Sequence, residues 1–91
     1  MTNKCEAELK IINKKGLHAR AAAAFVKTAE KFNAEVSVSK SGQTVGGRSI
    51  MGLMMLVASK GSRIVVKATG DEAVQALQAI SELVNDKFGE E

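Results

Sequence analysis

The chain has 91 residues, 45% of them apolar, and its 13 Lys and Arg against 10 Asp and Glu leave a net charge of +3. A chain this short makes one domain, residues 1–91, whose small core leaves little room for a deep substrate cleft, so a module working on its surface is expected over an enzyme with its own pocket. The apolar fraction argues against disorder, and scattered basic residues with only Phe25, Phe32 and Phe88 as aromatics argue against nucleic acid, whereas a mild positive charge suits acidic protein partners.

Residues 6–12 alternate, with Ala7, Leu9 and Ile11 against Glu6, Glu8 and Lys10, which predicts a half-buried strand. Residues 13–16 (Asn-Lys-Lys-Gly) form a loop. Over 19–32 the period becomes helical, Ala22, Phe25, Val26, Ala29 and Phe32 sharing a face opposite Lys27, Glu30 and Lys31. Residues 34–40 alternate again around Val36 and Val38. Ser41-Gly42 is a turn, and 43–45 completes a hairpin. Gly46 and Gly47 break the strand. Residues 49–58 read as a short helix with Ser49 as N-cap, ended by Lys60-Gly61. The fourth strand covers 63–69, with Ile64, Val66 and Ala68 inward. Thr69-Gly70-Asp71-Glu72 matches a capping box, and a last helix runs to about 87 with Ala73, Leu77, Ile80, Val84 and Phe88 buried. The order is βαββαβα, an α+β chain packed most economically as one sheet with every helix on the same side.

Cys5 is the only cysteine, which fits a reducing, cytoplasmic setting. No signal segment is visible, and the apolar runs at 21–26 and 53–58 fall far short of the ~20 residues that cross a bilayer. A cytoplasmic protein without membrane contact is expected.

His18 is the only histidine and stands one residue before the first helix. A helix N-terminus offers unpaired N–H groups and partial positive charge, a ready site for phosphate, and imidazole is a good nucleophile near neutral pH. Arg20 can add charge-assisted hydrogen bonds. On position alone, a surface histidine that happens to precede a helix is the preferred reading. Ser49 reads first as a structural N-cap and only second as a modification site, although a helix N-terminus tolerates a phosphate. No metal pair, CxxC or P-loop is present, and neither metal nor cofactor is expected.

Gly16-Leu17-His18-Ala19-Arg20 resembles the active-site segment of the HPr family, the histidine-containing phosphocarriers of the bacterial phosphotransferase system. The stretch from Ser49 through Ile50-Met51-Gly52-Leu53-Met54-Met55 to Leu56 resembles the family's regulatory-serine helix, and Lys60-Gly61 and Ala68-Thr69-Gly70 are similar too. The resemblance implies an open-faced β-sandwich, its antiparallel sheet ordered 1-4-2-3 with three helices on one face. It implies that enzyme I phosphorylates Nδ1 of His18, that Arg20 assists, and that the group passes to IIA proteins or domains. Ser49 would be the target of an HPr kinase/phosphorylase. Such a monomer is a stoichiometric carrier and not a classical enzyme. A non-catalytic module of the same fold, read through Ser49, is the alternative. Ala21 stands where the family has proline, pointing to a regulatory or nitrogen-related branch. The second helix buries Leu53 with Leu56 or Val57, leaving Ile50, Met51 and Met54 to dock partners beside Ala19 and Lys27.

Overall fold

Strands and helices alternate as the hydropathy pattern demands in the computed structural model, which describes residues 3–90. The order is β1 (Asn3–Lys10), α1 (Ala19–Glu30), β2 (Glu35–Lys40), β3 (Gln43–Gly46), α2 (Ile50–Met55), β4 (Arg63–Gly70) and α3 (Ala73–Asn85), followed by a single 3-10 turn, Lys87–Gly89. The strands form one antiparallel sheet in the order β1-β4-β2-β3. β4 pairs with the whole of β1, from Asn3 opposite Gly70 to Lys10 opposite Arg63, and with β2 from Glu35 opposite Thr69 to Ser39 opposite Val65. β2 returns as β3 through Ser41 and Gly42, whose φ of 52° and 83° are the two left-handed residues a type I′ hairpin needs.

Period-two alternation sends Val36, Val38, Ile64, Val66 and Ala68 to one sheet face, where they are buried. Phe25 of α1, Leu53 of α2 and Ile80 of α3 cover them and are fully excluded from solvent, each contributing roughly 1.5–3 kcal/mol of transfer free energy. β1 is an edge strand, so Cys5, Ala7 and Leu9 stay half-buried. The α+β open-faced sandwich expected from the sequence is thus the observed fold, in the expected strand order.

Several boundaries move. β1 begins at Asn3 and ends at Lys10, before the predicted 12. Ile11 nevertheless stays in the core, its N–H donating to Ser62 O at 2.8 Å while its carbonyl accepts from Gly61 N at 2.7 Å. α1 stops at Glu30, leaving Phe32 half-buried beyond it. α2 stops at Met55 and not at 58, because Val57 adopts φ 51° and stands 74% exposed. A left-handed β-branched residue costs on the order of 1–2 kcal/mol. Its neighbours hold it there, since Leu56 and Ala58 are both buried and the Ala58 carbonyl accepts Leu17 N–H at 2.8 Å. Leu56, not Val57, therefore joins Leu53 in the buried stripe. The capping box before α3 does not form. Glu72 is the N-cap residue without a side-chain cap bond; its Oε1 accepts Asn33 N–H at 2.7 Å and its own N–H donates to Asn33 O at 3.1 Å. Those two bonds tie the start of α3 to the α1–β2 connection. α3 ends at Asn85, short of 87, and Phe88 reaches the core through a left-handed turn in which Lys87 and Phe88 both have φ 56°.

Candidate functional site

The loop before α1 is pinned by backbone geometry. Gly16 has φ 67°, and a Cβ there would lie 2.6 Å from Ala58 O and 2.9 Å from Ser59 Cα, so only glycine fits. Leu17 is buried beside it and bonded to the same Ala58 carbonyl. The chain leaving α2 thereby rests against the loop that carries His18. His18 is the N-cap residue of α1, extended at φ −84° and ψ −176°, and its carbonyl accepts Ala22 N–H at 2.8 Å. Its side chain caps nothing. The amides of Ala19, Arg20 and Ala21 begin the helix without intrahelical acceptors and carry its positive end.

The imidazole instead meets the far end of the chain. Its Nε2 lies 2.5 Å from Oε2 of Glu90, with 26% and 15% of the two side chains exposed. The other Glu90 oxygen accepts from Asn13 Nδ2 at 3.0 Å, and the same amide nitrogen donates to Gly16 O at 2.7 Å. Asn13 is completely buried, and its Oδ1 finds no partner among the described residues. The Asn13 hydrogen bond holds the Glu90 carboxyl below the usual carboxylate range, partly opposed by burial and reinforced by His18 and Lys15. Glu90 is therefore ionised at neutral pH. Nδ1 of His18 has no hydrogen-bond partner among the described residues. Next to Glu90, an open basin of about 720 Å³ is rimmed by Lys14, Lys15, Arg20, Lys60 and Lys87.

Of the residues singled out by sequence, His18, Ala19 and Arg20 open α1, Lys27 lies in its last turn, and Ser49 precedes α2. Arg20 is exposed, two residues from His18, and holds no ion pair among the described residues. Ser49 is exposed, and its Oγ accepts Gly52 N–H at 2.9 Å, so its capping role is realised. Ile50, Met51 and Met54 are 41%, 72% and 40% exposed, and Ala19 and Lys27 are exposed on α1, which packs beside α2. Sequence reasoning missed Met55 and Val57, which extend the exposed apolar surface. It also missed Asn13 and Glu90, which show no periodicity or motif and meet His18 only through the fold.

A family model described as the PTS HPr component phosphorylation site matches residues 5–86. The chain belongs to the HPr family. Phosphocarrier protein HPr of Neisseria meningitidis is 49% identical over 82 residues, covering 90% of this chain and 92% of that protein. Phosphocarrier protein NPr of Shewanella violacea is 39% identical over 87 residues, 96% of each chain. The crystal structure of HPr-C-His from Thermoanaerobacter tengcongensis superposes with a TM-score of 0.92 at 45% identity, covering 96% of this chain and 98% of that one. Membership makes the chain an HPr-type phosphocarrier of the phosphotransferase system. The HPr match spans His18, Arg20 and Ser49 but ends before Glu90. No helix among the described residues is long and apolar enough to cross a membrane.

Proposed function

We propose that this HPr-family chain is a monomeric cytoplasmic carrier that accepts a phosphoryl group on Nδ1 of His18 from phospho-enzyme I and delivers it to IIA proteins or domains. The observation that carries the reading is the placement of His18 at the N-terminus of α1, with Nε2 engaged and Nδ1 without a partner. The Nδ1 lone pair attacks phosphorus, the bond from phosphorus to the donor breaks, and its electron pair leaves with the donor. The first-turn amides of α1 and the Arg20 guanidinium supply the charge that the transferring group requires. Partners dock on Ile50, Met51 and Met54 of α2, with Ala19 and Lys27 alongside. Ser49 is the regulatory site, where an HPr kinase/phosphorylase would place a phosphate at the edge of that surface. The alternative, a non-catalytic module read only through Ser49, leaves an ordered histidine beside an arginine without purpose. Ala21 in place of the family proline supports the nitrogen-related branch, which a competition between sugar-type and nitrogen-type IIA acceptors would read directly.

Incubation with phosphoenolpyruvate and enzyme I, followed by intact mass, tests the core of this reading. One acid-labile phosphoryl group should appear and should vanish in His18→Ala. Arg20→Ala should keep its fold yet transfer about ten- to a thousand-fold more slowly, the loss of one or two charge-assisted hydrogen bonds. Undiminished labelling of His18→Ala would overturn the assignment.

A further inference from the structure

We propose that Glu90 is a positioning residue for His18: its carboxylate accepts the Nε2 proton and holds the imidazole in the tautomer that leaves a lone pair on Nδ1. The inference rests on His18 being the phosphoacceptor and adds what makes one ring nitrogen the nucleophile. An ionised carboxylate only accepts hydrogen bonds, so a ring nitrogen 2.5 Å from it must carry a hydrogen. A neutral imidazole has one such hydrogen, which leaves Nδ1 bare.

Three features show that the contact is built and not incidental. Asn13, fully buried, points its amide nitrogen at two acceptors, Gly16 O and Glu90 Oε1, and so ties the tail to the loop that carries His18. That orientation leaves Asn13 Oδ1 without a partner among the described residues, an unfavourable arrangement tolerated at the very group that holds Glu90. The chain also adopts two consecutive left-handed non-glycine residues, Lys87 and Phe88, to return Glu90 to the histidine, with Phe88 buried as the anchor.

The contact gains strength as the reaction proceeds. When the Nδ1 lone pair bonds to phosphorus and the donor departs with its electron pair, the Nε2 proton stays and the ring acquires positive charge. The hydrogen bond to Glu90 then joins two ions, which favours the transition state over the resting carrier. The carboxylate's own repulsion of the incoming phosphoryl group is offset by the lysines and Arg20 around the basin.

The test uses the full chain labelled with 15N, whose sole histidine gives an unambiguous pair of ring signals. At alkaline pH the unphosphorylated protein should show one hydrogen-bearing and one bare nitrogen, with well-separated shifts assigned to Nε2 and Nδ1. In Glu90→Ala the two shifts should move toward each other as the second tautomer becomes populated. Glu90→Gln, whose amide oxygen can still accept, should restore most of the separation. Single-turnover transfer from phospho-enzyme I should fall about tenfold in Glu90→Ala, the loss of one charge-assisted hydrogen bond. Ring shifts unaltered in Glu90→Ala, or a rate within twofold of the parent, would overturn the proposal. Either result leaves the His18 assignment standing, because that fails only if His18→Ala is still labelled.

Discussion

Replacing Gly16 by alanine should damage the protein more than any other glycine substitution in a turn, for two separable reasons. The left-handed φ of 67° alone costs a non-glycine residue on the order of 1–2 kcal/mol. The added Cβ also meets backbone, at 2.6 Å from Ala58 O and 2.9 Å from Ser59 Cα, where an ordinary contact begins at 3.4 Å. Backbone cannot rotate aside as a side chain would. Relief requires the two loops to part, and the parting stretches the 2.8 Å bond from Leu17 N–H to Ala58 O out of useful range. Losing that bond adds about 1 kcal/mol. Together they approach 2–3 kcal/mol, and at roughly 4–8 °C per kcal/mol for a domain of this size Tm should fall by about 10–20 °C. Gly42→Ala is the control. Its φ is 83°, but no described residue lies within 4 Å of the added Cβ, so only the backbone cost of about 1–2 kcal/mol remains and Tm should drop by about 4–16 °C, less than in Gly16→Ala. Thermal melts by far-UV circular dichroism compare the two directly. Equal losses of Tm would refute the claim that the Gly16 loop is wedged against the exit of α2.

Ser49→Ala removes the hydroxyl that accepts Gly52 N–H and should cost about 1 kcal/mol of stability, whereas Ser49→Asp keeps a capping oxygen and should melt close to the parent. In the transfer assay the order reverses: the aspartate should slow phosphorylation by enzyme I through charge at the docking surface, and equal rates for the two variants would reduce Ser49 to a cap. Met51 is 72% exposed, so Met51→Asp should leave Tm within a few degrees, as exposed substitutions of ~0.5 kcal/mol do, while raising the KM for enzyme I. Leu53→Asp, at a fully buried position on the same helix, should unfold the protein; a sharp fall in Tm for Met51→Asp as well would place Met51 in the core.

Strands and helices were legible wherever local pattern and tertiary environment agree. The alternation in 34–40 and 63–69 and the stripe of Ala22, Phe25, Val26 and Ala29 are direct projections of burial onto the chain. Exposure of Ile50, Met51 and Met54 followed from counting how much of a short helix one sheet face can cover. The signals that misled were local ones overridden from a distance. Nothing between residues 49 and 58 ends a helix at Met55; the bond from Leu17 to Ala58 does. Glu72 sits where a capping box would use it, yet Asn33 supplies a better partner across the fold. The site was half legible for the same reason. His18 and Arg20 lie together in a short motif, whereas Glu90 joins them from 72 residues away and Asn13 is a loop residue whose burial no composition reveals.

The central place of β4 bears on how the molecule is made as well as how it is held. β1 and the β2–β3 hairpin do not touch as neighbours in the sheet; each pairs with β4, whose last residues follow nearly three-quarters of the chain. Among the strand pairings only the hairpin can form early during synthesis, since its contacts alone are local. β1 waits for its partner, and the hairpin keeps its apolar face uncovered, until residues 63–70 emerge and the final helix closes over the sheet. Folding is therefore expected to be cooperative and comparatively slow for so small a chain, with the histidine loop acquiring its shape in the same late event that brings the tail back to meet it.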